Sequence, residues 1–184
     1  KPNSVSNYRP ISSVSVLSKA LEDILSSQLK DHFEKHAIIT QNSFGYRNIH
    51  STISCLQAWQ HTVHKIASKN YTAASVFLDF KAGFDCLNPK ILDQKLEMYK
   101  VGIHTRAWIR NFLSNRTHYI SSGNEVSSGN KINDGTDQGR KLSCLLFLIY
   151  TSEANTLINH EARNIGLRSI GESFLYVDDS ITVI

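Results

Sequence analysis

Read for the alternation of apolar and polar positions, the chain divides into helical and extended stretches. Leu17, Leu21, Leu25, Leu29 and Phe33 recur at every fourth position, with Ala20 and Ile24 on the same face and Lys19, Glu22, Lys30 and Glu34 off it. This spacing predicts an amphipathic helix from about Val14 to Lys35, capped by Ser12 or Ser13. Before it, Pro10 disfavours a helical conformation at Arg9, so SNYRPIS is extended. A loop, QNSFGYRNIHST, carries Gly45 and Arg47 and leads into a second helical period (Ile53, Leu56, Trp59, Val63, Ile66) with Ser51 as its cap. Ala73 to Phe80 is a nearly unbroken apolar run of strand length, the pattern of a strand covered on both faces. Asn88 and Pro89 read as cap and first residue of a helix running to Lys100 and stopping at Gly102. Another helix, Thr105 to Ser114, should bury Trp108, Ile109, Phe112 and Leu113, with Arg106, Arg110 and Arg116 on a solvated basic face. A polar hairpin turns at Gly123-Asn124. The glycine-bearing loop with Gly135 and Gly139 then feeds a buried helix carrying Leu142, Leu145, Leu146 and Ile149. Thr151 to Ile170 reads as helix end and loop.

The last stretch, GESFLYVDDSITVI, sets Asp178 and Asp179 between two runs of strand formers. That is a β-hairpin with carboxylates at its tip. Adjacent like charges repel unless a cation neutralises them, and hard oxygen ligands suit a divalent metal. An exposed turn is the plain alternative, because Asp is a common turn residue. Asp79 closes the apolar run of the earlier strand, where an ionised carboxylate is costly without compensation. Its plain alternative is a strand-end acid facing solvent. If the two strands are neighbours, three carboxylates converge at one end of a sheet.

Size and composition narrow the class. The 184 residues fit one domain, or one domain and part of another, with 41% apolar and 20% charged residues. Twenty Lys and Arg against sixteen Asp and Glu give a formal charge of +4, and the pI is near 9.0. Such mild basicity permits a polyanionic partner. Cys55, Cys86 and Cys144 are odd in number and widely spaced, which suits a reducing compartment and argues against a zinc finger or a disulfide scaffold. No apolar run reaches membrane-spanning length and the first residues lack signal-peptide shape. An intracellular protein of the cytoplasm or nucleus, not secreted and without a membrane partner, is expected.

In this order, NYRPIS, QNSFGYR, VFLDFKAGFD, RTHYISSGNEVSSGNKINDGTDQGRKLSCLLFLIY and FLYVDD resemble the reverse transcriptase domain of non-LTR (LINE-type) retrotransposons. The resemblance covers almost the whole chain, and five ordered motifs are far more specific than any one. It implies an α+β right-hand polymerase fold: fingers over residues 1–70 and palm over 71–184, with an antiparallel palm sheet packed against helices and the thumb absent. It implies RNA-directed DNA synthesis, with an RNA template, a DNA primer and deoxynucleoside triphosphates as partners. Two Mg²⁺ ions, for which Mn²⁺ substitutes, would sit roughly 3.5–4 Å apart on Asp79 and Asp178, with Asp179 assisting and the Phe80 carbonyl as an extra ligand. By the same resemblance Arg9 contacts the triphosphate, Arg47 contacts template or nucleotide, and Phe84 blocks a ribose 2′-hydroxyl. Gln138 and Gly139 pack against the incoming nucleotide, and Asp85 is structural. Intron-encoded reverse transcriptases share the fold and chemistry, but NYRPIS and RTHYI read closer to the retrotransposon type.

Several positions depart from that pattern. Asp137 stands where a proline is usual, and an acid there should repel a triphosphate and free a backbone that proline would stiffen. Arg140, Lys141, Ser143 and Cys144 replace smaller or apolar residues. Asn48-Ile49 replaces Pro-Gly, and Gly83, in Ala82-Gly83, should loosen the segment that holds Asp79 and Phe84. The chain is expected to be an excerpt or a decayed copy of an element's polyprotein. Set against the enzyme are a catalytically inactive nucleic-acid-binding remnant and a protein-interaction domain.

Overall fold

The most apolar ten residues of the chain form the element that the others cover. A computed structural model describes residues 11–164 and 172–184. In it, Lys141–Tyr150 is helix α5, numbered by its place in the chain, and Leu142 through Ile149 are all buried. A helix apolar on every side can only sit inside. Against it pack α1 (Val16–Lys35) and α3 (Pro89–Met98), and α4 (Ile103–Leu113) packs on α3. Their shared core includes Leu29, Phe33, Leu92, Leu96, Ile109 and Leu113.

The leucine stripe of α1 is only half used. Leu29 and Phe33 are buried and Leu25 lies at the core's margin, but Leu17 and Leu21 are exposed. The reason is length. Twenty residues of α1 span about 30 Å and ten of α5 about 15 Å. Because α5 starts beside Glu22, through an ion pair to Arg140, the first turns of α1 run past its end. The cap is Ser15, which accepts from the Ser18 N–H, so the helix starts two residues later than the pattern implied.

Other boundaries follow their caps. Helix α2 (Thr52–Ala67) begins at the reciprocal Ser51–Ser54 capping box, and α3 begins at Asn88, whose side chain accepts from the Lys90 and Ile91 N–H groups. Gly102 does not stop α3. Lys100 takes the left-handed turn (φ 58°), and Gly102 is the N-cap of α4. Arg106 is not merely solvated but clasps Asp93 at 3.0 Å and Glu97 at 2.8 Å, joining α4 to α3. Trp108 stays near the surface, stacked on Phe112.

A three-stranded sheet has the order β1 (Ser75–Asp79), β7 (Asp179–Val183), β6 (Ser173–Tyr176), antiparallel throughout. Phe174 and Val183 pack with Cys55 and Ile66 of α2 in a second core. The apolar run of β1 is not covered on both faces: Phe77 is 65% exposed, and Val76 and Leu78 are also exposed. Strand β1 lies at the edge, where Trp59 of α2 stands edge-on to Phe77 and donates from Nε1 to Ser75 Oγ at 2.9 Å. Continuous hydrophobicity marked a strand but could not report how much of it the neighbouring helices cover.

The expected hairpin at Gly123-Asn124 is the ladder of β3 (Ser121–Ser122) with β4 (Glu125–Val126). It caps a longer ladder of β2 (Arg116–His118) with β5 (Asn130–Ile132). Part of the segment expected as loop is helix α6 (Ala154–Asn164). Its stripe is thin, with Leu157 and Ile158 as its large apolar residues, so periodicity gave little signal.

Leu146→Ala, at a fully buried position, is expected to lower unfolding free energy by about 2–5 kcal/mol. Leu21→Ala, on the overhanging part of α1, should change it by no more than about 0.5 kcal/mol. Urea denaturation of both variants checks the assignment of core and overhang.

Candidate active site

The two acidic segments, far apart in sequence, meet at one end of the sheet. In the β1–β7 ladder Asp79 is the direct partner of Asp179, and the Phe80 N–H donates to the Asp178 carbonyl at 3.3 Å. The β6–β7 hairpin turns through Val177 and Asp178, and Val177 adopts a left-handed φ of 63°. That conformation is unfavourable for a β-branched residue and persists only where its surroundings impose it.

The electrostatics of this end are one-sided. The Asp179 carboxyl is pushed above its usual range, first by partial loss of hydration and then by the charges of Asp178 and Asp79. Among the described residues, no Lys or Arg forms an ion pair with these three acids. Carboxylate oxygens without a cationic partner are the donor type that hard divalent cations take. Among the described residues, no group of three or more His, Cys, Asp or Glu side chains is gathered closely enough to hold a metal. The acids thus share an end of the sheet and feel one another's charge without being closed into a ligand cage. Beside them a cavity of about 420 Å³ is lined by Asp79, Asp179, Tyr176, Phe77, Cys55 and Leu56.

A further side chain near the acids is Tyr46. Tyr46 (φ 55°) sets its hydroxyl against the Cys144 thiol near Asp178 and Tyr176. Burial, the Cys144 contact and the Asp178 charge push the phenol well above its ordinary range. Nothing in the sequence pattern singled out Tyr46. The Phe80 ring stands edge-on to Phe147 and the Phe84 ring stacks on it at 4.8 Å, so Phe84 is half-buried and fixed. Gly83 does not loosen this segment. A Cβ there would meet Phe147 Cζ at 2.8 Å, so its missing side chain allows the close packing.

The remaining candidates are spread more widely. Arg9 lies outside the described residues. Arg47 is spent on the protein itself: Nε and Nη2 each reach Glu34 at 2.8 Å, and Nη1 donates to the Thr40 and Ser43 carbonyls. That hydrogen bond also draws the Glu34 carboxyl below its usual range. The Gln138 carbonyl accepts from the Ser12 N–H, and Gly139 takes φ 89° beside Ile11. Asp85 is exposed and its backbone abuts Gly135, which fits a structural role.

Asp137 is not the bare negative charge that the sequence suggested. It is 7% exposed and accepts from Arg116 at 2.9 Å, His118 at 2.9 Å and Arg140 at 2.8 Å. Arg116 also donates to the Asp134 and Gly135 carbonyls, while Arg140 pairs with buried Glu22 and lies over the Phe112 ring. Burial alone would raise the Asp137 carboxyl, but the Arg140 hydrogen bond and the Arg116, His118 and Arg140 charges outweigh it and hold it low. The replacement residues Asp137 and Arg140 therefore compensate each other. Their i,i+3 spacing was visible in the sequence, whereas Glu22 and Arg116 come from distant segments.

Because a lowered carboxyl stabilises the fold above the ordinary Asp value near ~3.9, that contribution is present at neutral pH and lost as pH falls through the folded value. Asp137→Asn is expected to cost about 3–5 kcal/mol at pH 7 by leaving two buried guanidinium groups underpaired. In urea unfolding, the gap from the parent chain should narrow below about pH 4. Asp179 has the opposite sign: its raised carboxyl is a penalty for the folded chain once ionised. Asp179→Asn should therefore raise the melting temperature in EDTA and reduce any further rise on adding Mg²⁺, as read by differential scanning calorimetry.

Comparison with known proteins agrees with this geometry. The pattern of the reverse transcriptase (RNA-dependent DNA polymerase) family matches residues 1–184. The chain is 26% identical over 149 residues to the probable RNA-directed DNA polymerase from transposon BS of Drosophila melanogaster. It is 27% identical over 157 residues to the RNA-directed DNA polymerase from mobile element jockey of the same species. These matches cover 80% and 84% of this chain but 16% and 17% of the relatives, so the chain spans about a sixth of their length. Among solved structures, telomerase of Candida tropicalis with a fragment of telomeric RNA superposes with a TM-score of 0.60 at 15% identity, covering 91% of this chain and 28% of that one. Apo telomerase of the same species, truncated from its C-terminal domain, gives 0.55 at 16% identity, covering 91% and 34%. At such identities the likeness shows the fold alone. With the family pattern matched from first residue to last and the acids meeting across one sheet, the chain belongs to the reverse transcriptase (RNA-dependent DNA polymerase) family.

Proposed function

We propose that the chain is the fingers and palm portion of a non-LTR reverse transcriptase that adds deoxynucleotides to a primer 3′ end on an RNA template. The observation that carries the reading is the Asp79–Asp179 pairing beside the Asp178 turn. Residues 1–70 form part of the fingers and 71–184 the palm. Asp79, Asp178 and Asp179, with the Phe80 carbonyl, are the residues that would hold Mg²⁺. Bound there, magnesium would lower the pKa of the primer hydroxyl and neutralise charge on the triphosphate. The protein's own share is positioning, since phosphoryl transfer depends mainly on alignment and electrostatics.

The Phe84 ring, fixed by its stack on Phe147, forms a wall against a ribose 2′-hydroxyl. Gln138 and Gly139 face the incoming nucleotide from a loop held by the buried Asp137 network, and Arg9 supplies the triphosphate contact. The pI near 9.0 favours a polyanionic partner. Among the described residues no helix is long and apolar enough to cross a membrane. An intracellular site of action completes the reading.

Primer extension on an RNA template with Mg²⁺ and deoxynucleoside triphosphates tests it. Asp178→Asn is expected to abolish extension by at least about a thousandfold while leaving template binding intact or slightly stronger, because a negative charge near phosphates is removed. Template binding without extension by the parent chain would favour an inactive binding remnant instead.

A further inference from the structure

The loop that carries Gly45 and Arg47 does something that its motif reading did not assign. Residues 42–44 run alongside β6: Ser43 forms a parallel bridge with Leu175, the Phe44 N–H donates to the Leu175 carbonyl at 2.8 Å, and the Leu175 N–H donates to the Asn42 carbonyl at 2.9 Å. The next residue, Gly45, is buried against the turn of the acid hairpin. A Cβ on it would stand 2.8 Å from both Val177 Cγ2 and Val177 N, closer than packed atoms allow. Val177 is the residue held at φ 63°, immediately before Asp178.

Arg47 sets the shape of this loop. Its guanidinium reaches both Glu34 oxygens on α1 and the Thr40 and Ser43 carbonyls, so one planar group ties the helix to both sides of the turn entering the Ser43–Gly45 segment. With its side chain only 10% exposed, Arg47 has little surface left for an outside partner. A lysine could not make this fork, because its ammonium is a point charge with no fixed geometry.

We propose that the Asn42–Arg47 loop is a clamp on the acid hairpin, in which Gly45 presses the Val177 turn into its left-handed conformation and Arg47 is the positioning residue that holds the clamp. The inference rests on the reading of these acids as metal ligands only for its consequence, not for the contact itself. The clamp fixes where the Asp178 carboxylate points. Arg47 therefore acts on the reaction through the hairpin and not by touching nucleotide or template.

Two measurements on the 184-residue chain separate the clamp from the metal reading. Amide hydrogen exchange in EDTA, in Gly45→Ala and Arg47→Lys, should show protection at residues 175–180 falling by about tenfold or more, with α3 and α5 unchanged. Mn²⁺ titration followed by electron paramagnetic resonance should show the same two variants binding at least about tenfold more weakly than the parent. Unchanged exchange at the hairpin in both folded variants overturns the clamp. If the exchange change occurs but the parent chain takes up no Mn²⁺, the clamp stands and the metal reading falls. Should Gly45→Ala fail to fold, Arg47→Lys carries the test alone, since it removes the fork and keeps the charge. Arg47→Lys with parent-like protection and parent-like Mn²⁺ affinity would refute a positioning role.

Discussion

One register choice governs the functional end of this molecule: the antiparallel pairing that sets Asp79 opposite Asp179. Side chains alternate along a strand, so a slip of one residue would turn Asp79 to the other face and bring Leu78 or Phe80 to the acid end. The register is pinned at the far end of the ladder, where Ala74 and Ile184 exchange two 2.8 Å backbone hydrogen bonds. Midway, Trp59 bonds Ser75 and contacts Phe77. These contacts oppose the lost hydration and, after it, the charges of Asp178 and Asp79 that raise the Asp179 carboxyl. An arrangement that the fold imposes against its own electrostatics is one that a cation would relieve.

The surroundings of the acids are held by two different physical means. Around Phe84 the means is packing: aromatic rings gather on Phe147 of the buried α5, and Gly83 leaves room for them. Around Gln138 and Gly139 it is charge, with Asp137 linking β2 to the start of α5 and Arg140 linking that start to Glu22 of α1. Buried ion pairs are weak evidence of net stability, because desolvation offsets much of their attraction. Their directional bonds nevertheless fix a loop, and burial protects them from screening by salt. The departures at 137 and 140 thus meet in one ion pair.

The caps at Ser51 and Asn88, the buried α5 and the acid hairpin were legible because each is a local property: a Ser or Asn side chain bonds its own backbone, and an apolar decade or an alternating run declares its burial within a few residues. The overhang of α1 and the bare face of β1 were not legible, since hydrophobicity records what a segment could bury and not whether a neighbour is long enough to cover it. Arg47 and Arg106 show the same gap for charge. A sequence shows that a guanidinium is present, and only the fold shows that Glu34 or Asp93 has already taken it.

By itself, then, the sequence determined the mixed α and β character, the reverse transcriptase family and the identity of the acids, because five motifs in order leave little freedom of interpretation. Tertiary structure alone decided that Asp79 faces Asp179, that Asp137 is neutralised by Arg116 and Arg140, and that Gly45 bears on Val177. Each is a contact between distant segments, whose distance and direction follow from packing that no local pattern encodes.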